Sequence, residues 1–148
     1  MAKLEKFEDL MAWQKARELA QAVYRVTREG GWSKDRRLTE QIQGAAVAVM
    51  TYTANGFERW EPAESLALLA DAKAAATDVK SCLYVALDAG YMDGKTFDDL
   101  RAQADSVARI IGGWRGSKEK RLNGNQPNDR SGNGSNYDDS RRPAYQGR

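Results

Sequence analysis

The densest set of side chains able to do chemistry runs from Arg25 through Arg28 to Lys34, Arg36 and Arg37, five bases interleaved with only Glu29 and Asp35 and with Trp32 in the middle. Cations converging at one corner of a fold can contact phosphates, while Trp32 either stacks on a base or plugs the end of the fold as a hydrophobic lid. A second set, Arg109, Arg115, Lys118, Lys120 and Arg121, leads into an Arg-containing C-terminal segment. Flexible segments rich in Arg, Gly and Tyr bind RNA through charge and stacking, or simply keep a chain soluble.

Other chemistry is scarce. The 148 residues include no histidine and one cysteine, Cys82. The commonest general base near neutral pH is therefore missing, together with every Ser-His or Cys-His pair. A carboxylate di-iron site in a helical bundle needs inward Glu residues and Glu-x-x-His pairs, so no metal site is expected. Cys82 sits beside Val79 and Leu83 at helical spacing, where a free thiol behaves as a small apolar residue. Gly30-Gly31 and Gly112-Gly113 match neither a P-loop nor a dinucleotide fingerprint, so no cofactor is expected and helix termination explains them. The chain is read as a non-enzyme. One cysteine gives no internal disulfide, the start has no signal-like apolar stretch, and nothing approaches about 18 consecutive apolar residues. A cytoplasmic protein with no membrane contact is expected.

Charge has to be read locally. Of all residues 30% are charged and 41% hydrophobic, with 23 Lys and Arg against 21 Asp and Glu for a net charge of +2. Residues 119–148 hold six bases and four acids, so the whole excess lies there and the remainder balances at zero. That stretch contains only Leu122, Tyr137, Ala144 and Tyr145 from the hydrophobic set, too few for a core. The division expected is a folded unit over 1–117 and a disordered Asn/Gly/Arg-rich tail over 118–148.

The elements that position these residues follow from apolar spacing of three and four, which keeps side chains on one helical face. A first helix is predicted from about Glu8 to Glu29, with the stripe Ala12, Ala16, Leu19, Val23, Val26 widened by Leu10, Trp13 and Tyr24. A second runs from about Lys34 to Gly56 with Ser33 as N-cap and the stripe Leu38, Ile42, Ala45, Val49, Tyr52. It carries a second apolar line, Val47, Met50, Ala54 and Phe57, suited to burial on another side. The third opens at Pro62, where a missing N–H does no harm, and carries Leu69, Ala72, Ala76, Val79, Leu83 and Ala86. For the fourth, Thr96 and Asp99 form a capping box ahead of Phe97, Leu100, Ala104, Val107, Ile111 and Trp114, and Gly112, Gly113 and Gly116 fray its end. No run reads as a strand. Short connections make consecutive helices antiparallel, so the fold class is all-α, an up-down-up-down four-helix bundle.

Three stretches, Phe7-x-Asp9-Leu10-x-x-Trp13-x-x-Ala16, Leu38-x-x-Gln41-Ile42-x-x-Ala45-Ala46 followed by Asn55-Gly56-Phe57-Glu58-Arg59, and Ala89-Gly90-Tyr91, lie in a familiar order. Together they resemble the bacterial four-helix-bundle proteins known as 23S ribosomal RNA intervening-sequence proteins, whose relatives include the accessory variability proteins of diversity-generating retroelements. The chain departs from that pattern at Ala48, where Ser is usual, and at Ala54-Asn55-Gly56, where Ala-Glu-Gly is usual. Its Gly112-Gly113-Trp114 ending is more similar to the retroelement branch. The resemblance implies a homopentameric ring of bundles, with Val47, Met50, Ala54 and Phe57 as subunit seam. In the retroelement branch it implies binding to RNA or DNA and to a reverse transcriptase, supporting template copying without catalysis. The expected function is thus a non-catalytic oligomeric accessory protein binding RNA or an RNA–DNA hybrid and a reverse transcriptase. The alternative is a protein-interaction scaffold with no nucleic-acid role.

Overall fold

The computed structural model describes residues 4–124. A single 3-10 turn, Phe7–Asp9, leads into α1 (Met11–Val26), and a second, Gly30–Lys34, joins it to α2 (Arg36–Glu58). After a three-residue turn come α3 (Pro62–Asp88) and α4 (Gly94–Gly124). No strand occurs among the described residues. Helix α2 packs on α3, α3 on α4, and α1 closes the ring against both α2 and α4, which is the expected all-α four-helix bundle.

The apolar stripes account for that closure. Leu19 and Val23 of α1, Ile42 and Val49 of α2, Leu69, Val79 and Leu83 of α3, and Val107 and Ile111 of α4 are all fully buried in one cluster. Each such side chain contributes roughly 1.5–3 kcal/mol relative to exposure. Ala72, Ala75, Ala76 and Ala86 are also buried on α3, between α2 and α4, where small side chains permit close approach. Cys82 lies among them, and burial, with the charge of Asp78 added, pushes its thiol pKa up, the reverse of an activated thiolate.

Helix ends differ from expectation for reasons of local hydrogen bonding. Helix α1 stops at Val26 rather than Glu29; Thr27 still donates its N–H to the Val23 carbonyl at 3.1 Å, and the chain then turns through Gly30, whose φ of +56° is left-handed. The N-cap of α2 is Asp35, whose Oδ1 accepts from the Leu38 N–H at 3.1 Å, while Ser33 instead donates to the Gly30 carbonyl at 2.8 Å. Asp93, not a Thr96 and Asp99 box, caps α4, accepting from the Thr96 N–H at 2.7 Å. Gly90 follows α3 with φ +78°, a left-handed value that glycine adopts without strain.

The largest departure is at the other end of α4. Instead of fraying at Gly112, Gly113 and Gly116, the helix continues to Gly124, past the boundary expected at residue 117. Glycine costs about 1 kcal/mol in a helix interior relative to alanine, so contacts with the rest of the bundle must offset three of them. The remainder of the expected tail, residues 125–148, lies outside the described residues. Among those described, no helix is long and apolar enough to cross a membrane.

Candidate nucleic-acid interface

The first basic set is arranged around a polar and aromatic clamp at one end of the bundle. Trp32 is 0% exposed, its ring 5.7 Å from that of Tyr91 on the turn between α3 and α4. The Tyr91 ring lies so close to Gly31 that a Cβ there would overlap it, which is why the turn needs glycine at this point. Tyr91 then donates its hydroxyl to Asp35 Oδ2 at 2.8 Å, so one carboxylate both caps α2 and ties two turns together. The backbone N–H of Leu38, the Tyr91 hydroxyl and, less strongly, the positive charge of Arg37 hold Asp35 below its ordinary pKa near 3.8, against an opposing effect of burial. The same bond raises the Tyr91 hydroxyl above its usual 10. Thr39 donates to the Trp32 carbonyl at 2.8 Å, and Gln43 donates to the Thr27 hydroxyl at 3.0 Å.

Trp32 is therefore a plug. With no accessible surface its ring cannot stack on a base, which corrects its placement among the nucleic-acid contacts. Its indole N–H is buried without a hydrogen-bond partner, at a desolvation cost of about 1–3 kcal/mol.

Around this clamp Arg25, Arg28, Lys34, Arg36 and Arg37 are all exposed. Arg36 pairs with Glu40 one turn on at 3.2 Å, an exposed contact worth little in water. Of the two acids interleaved in sequence, Asp35 accepts from Leu38 and Tyr91 and feels the charge of Arg37, while Glu29 is exposed, so with Glu40 on Arg36 three carboxylates stand near the five cations. Arg25 borders two surface grooves. One is lined by Ala20, Gln21, Tyr24, Arg25 and Arg28 and has no carboxylate. The other, against α4, includes Glu29 and Asp99, which repel phosphate. Tyr24, expected to widen the core stripe, instead remains 40% exposed in the first groove.

The second basic set behaves differently. Arg115 is half-buried, donating from Nε to the Leu66 carbonyl at 3.2 Å and lying 3.5 Å from Glu119. Lys118 donates from Nζ to the Ser65 hydroxyl at 2.9 Å and lies 5.0 Å from the centre of the Trp114 ring. Ser65 is buried and donates in turn to the Gly56 carbonyl at 2.6 Å. Burial, and then the like charge of Arg121, lower the Lys118 pKa. These bonds fasten α4 to the start of α3 and explain its passage through the three glycines. Arg109 is exposed, and its charge helps lower the pKa of Asp105, which Lys80 holds at 2.7 Å. Lys120 and Arg121 are exposed on the last turns. The two sets do not converge: the Ser65 contact stands near the start of α3 and the Tyr91 contact just past its end at Asp88, about 35 Å away at 1.5 Å per residue.

Along the second apolar line of α2, Val47 is 42% exposed and Met50, Ala54 and Phe57 are half-buried. Met50 packs against the core and Phe57 lies 6.3 Å from Trp114, so part of this line is already covered within the chain. Trp60, which the stripes pass over because it falls in the turn before Pro62, is 92% exposed. Among the described residues no group of three or more His, Cys, Asp or Glu side chains could hold a metal ion.

No curated protein is significantly similar to the chain in sequence. A family profile described as 23S rRNA-intervening sequence protein matches residues 8–113, which takes in all of α1, α2 and α3 and most of α4. With that much of its length matched, the chain belongs to the family of 23S rRNA-intervening sequence proteins.

Proposed function

We propose that the protein is a non-catalytic, self-associating accessory protein that holds RNA or an RNA–DNA hybrid by its phosphates and serves a reverse transcriptase. The observation that carries this reading is the exposed corner of Arg25, Arg28, Lys34, Arg36 and Arg37, five cations that outnumber the nearby acids Glu29, Asp35 and Glu40. Cations fixed on a rigid end present phosphate contacts without base specificity. Lys120, Arg121 and Arg109 supply further positive charge at a distance, whereas Arg115 and Lys118 serve the fold. Self-association in a ring, a pentamer in the form the sequence resemblance suggests, uses the exposed part of the Val47 line.

Titrating labelled RNA at two salt concentrations tests the reading, because phosphate contacts weaken steeply as salt rises. Binding that falls with salt is expected, and absence of binding even at low salt contradicts it. The latter result favours the second reading, a protein-interaction scaffold with no nucleic-acid role, which the 92% exposure of Trp60 supports. Light scattering tests assembly, since a particle of 16.5 kDa at micromolar concentration contradicts the ring.

A further inference from the structure

We infer that the carboxylate-free groove on α1 is a track for single-stranded nucleic acid, with Tyr24 as the ring on which a base stacks and Arg25 and Arg28 as its phosphate contacts. The inference rests on the nucleic-acid reading above and narrows it from any phosphate polymer to one with unpaired bases. Three observations place the track. Tyr24 is a large aromatic residue left 40% exposed, although its neighbours Ala20 and Val23 on the same helix are buried. The groove in which it stands is lined by Ala20, Gln21, Tyr24, Arg25 and Arg28 alone, so it joins an aromatic surface to two cations with no acid between them. The groove on the other side of Arg25 lacks an aromatic ring and includes Glu29 and Asp99, so a polyanion that reaches Arg25 is turned toward Tyr24.

The face continues along the helix. Arg17 lies seven residues before Tyr24, its guanidinium 5.8 Å from the centre of the Trp13 ring, so aromatic and basic side chains recur at helical spacing. Arg17 to Arg28 spans roughly 17 Å of helix. Stacking on an aromatic ring tolerates any base but needs the base unpaired, and grooves for single strands combine rings with cations in this way. A duplex keeps its bases stacked on one another and offers this groove only its phosphates.

The test uses the full chain and fluorescein-labelled oligo-U, oligo-dT and an RNA duplex of equal length, followed by anisotropy at low salt. Tyr24→Ala is expected to weaken oligo-U and oligo-dT about tenfold each and leave the duplex unchanged, with Tyr24→Phe retaining binding. Arg28→Ala is expected to weaken all three. If Arg28→Ala weakens binding while Tyr24→Ala does not, phosphate binding stands and the stacking inference falls. Loss in only one of the two single-strand arms also overturns it, because stacking does not require the 2′-hydroxyl. A changed particle mass for Tyr24→Ala by light scattering would make the ring a subunit contact and overturn it as well. If the unaltered protein binds none of the three, the nucleic-acid reading itself has failed.

Discussion

The two ends of the bundle carry similar sets of cations in different settings. Near the start of α2, Arg25, Arg28, Lys34, Arg36 and Arg37 are exposed around a clamp of Trp32, Tyr91 and Asp35, to which the Arg37 charge adds its hold on Asp35. On the last turns of α4, Arg115 and Lys118 are themselves the fastening, bonded to the Leu66 carbonyl and the Ser65 hydroxyl. Basic clusters of equal density in sequence can therefore stay exposed or be bonded into a structural joint. What separates them is whether other side chains already satisfy the local backbone. Where an acid and an aromatic pair do so, the cations stay exposed. Where a carbonyl and a hydroxyl of the facing helix lie within reach, two of the cations turn inward.

The strongest way to break this contrast is at Trp32. Trp32→Ala removes a wholly buried ring and should destabilise the protein by about 3–5 kcal/mol, read as a lower urea midpoint. A loss below about 1 kcal/mol would mean that the clamp is not what holds this end together.

At the other end Ser65→Ala leaves the Lys118 ammonium without its hydroxyl partner and the Gly56 carbonyl without its donor. The expected cost is about 1–3 kcal/mol, with RNA binding unchanged at temperatures where the variant is folded. Weaker binding by folded Ser65→Ala would move this end from joint to binding surface.

Smaller effects come from pH. Asp35 has a folded pKa below its ordinary value near 3.8, so its contribution is present above about pH 4 and fades as pH falls through the lower folded value. Tyr91 has a folded pKa above 10, so its contribution is present below pH 10 and fades as pH rises through the higher folded value. The difference in unfolding midpoint between the unaltered protein and Asp35→Asn should therefore be larger at pH 7 than at pH 3. A difference that does not change with pH would show that the Asp35 charge plays no part in the clamp.

These contrasts were only partly legible in the sequence. The four helices and their buried stripes are local signals, and a spacing of three and four residues marks them whatever the neighbours are. Caps are less local. Ser33 and Asp35 are both suited to begin α2, and Asp35 serves because its second oxygen meets Tyr91, 56 residues away. The passage of α4 through three glycines runs against helix propensity and rests on bonds to Leu66 and Ser65, which no window around residue 115 contains. Of the two roles open to Trp32, stacking platform or lid, it takes the lid, and Tyr24, expected in the core stripe, stays 40% exposed. A tryptophan amid arginines looks available and a tyrosine near an apolar stripe looks buried, and only the packed turns decide otherwise.

The contrast between free and fastened cations is tested most directly by the slope of log Kobs against log salt for labelled single-stranded RNA. Two variants are compared with the unaltered protein, one combining Arg25→Ala, Arg28→Ala and Arg37→Ala, the other combining Arg115→Gln and Lys118→Gln. Each lost phosphate contact lowers the slope by about 0.7 on a single strand, so the first variant should lose about 2 from its slope and the second should keep it. An unchanged slope in the first variant, or an equal loss in the second, would contradict the division of the two ends into binding surface and structural joint.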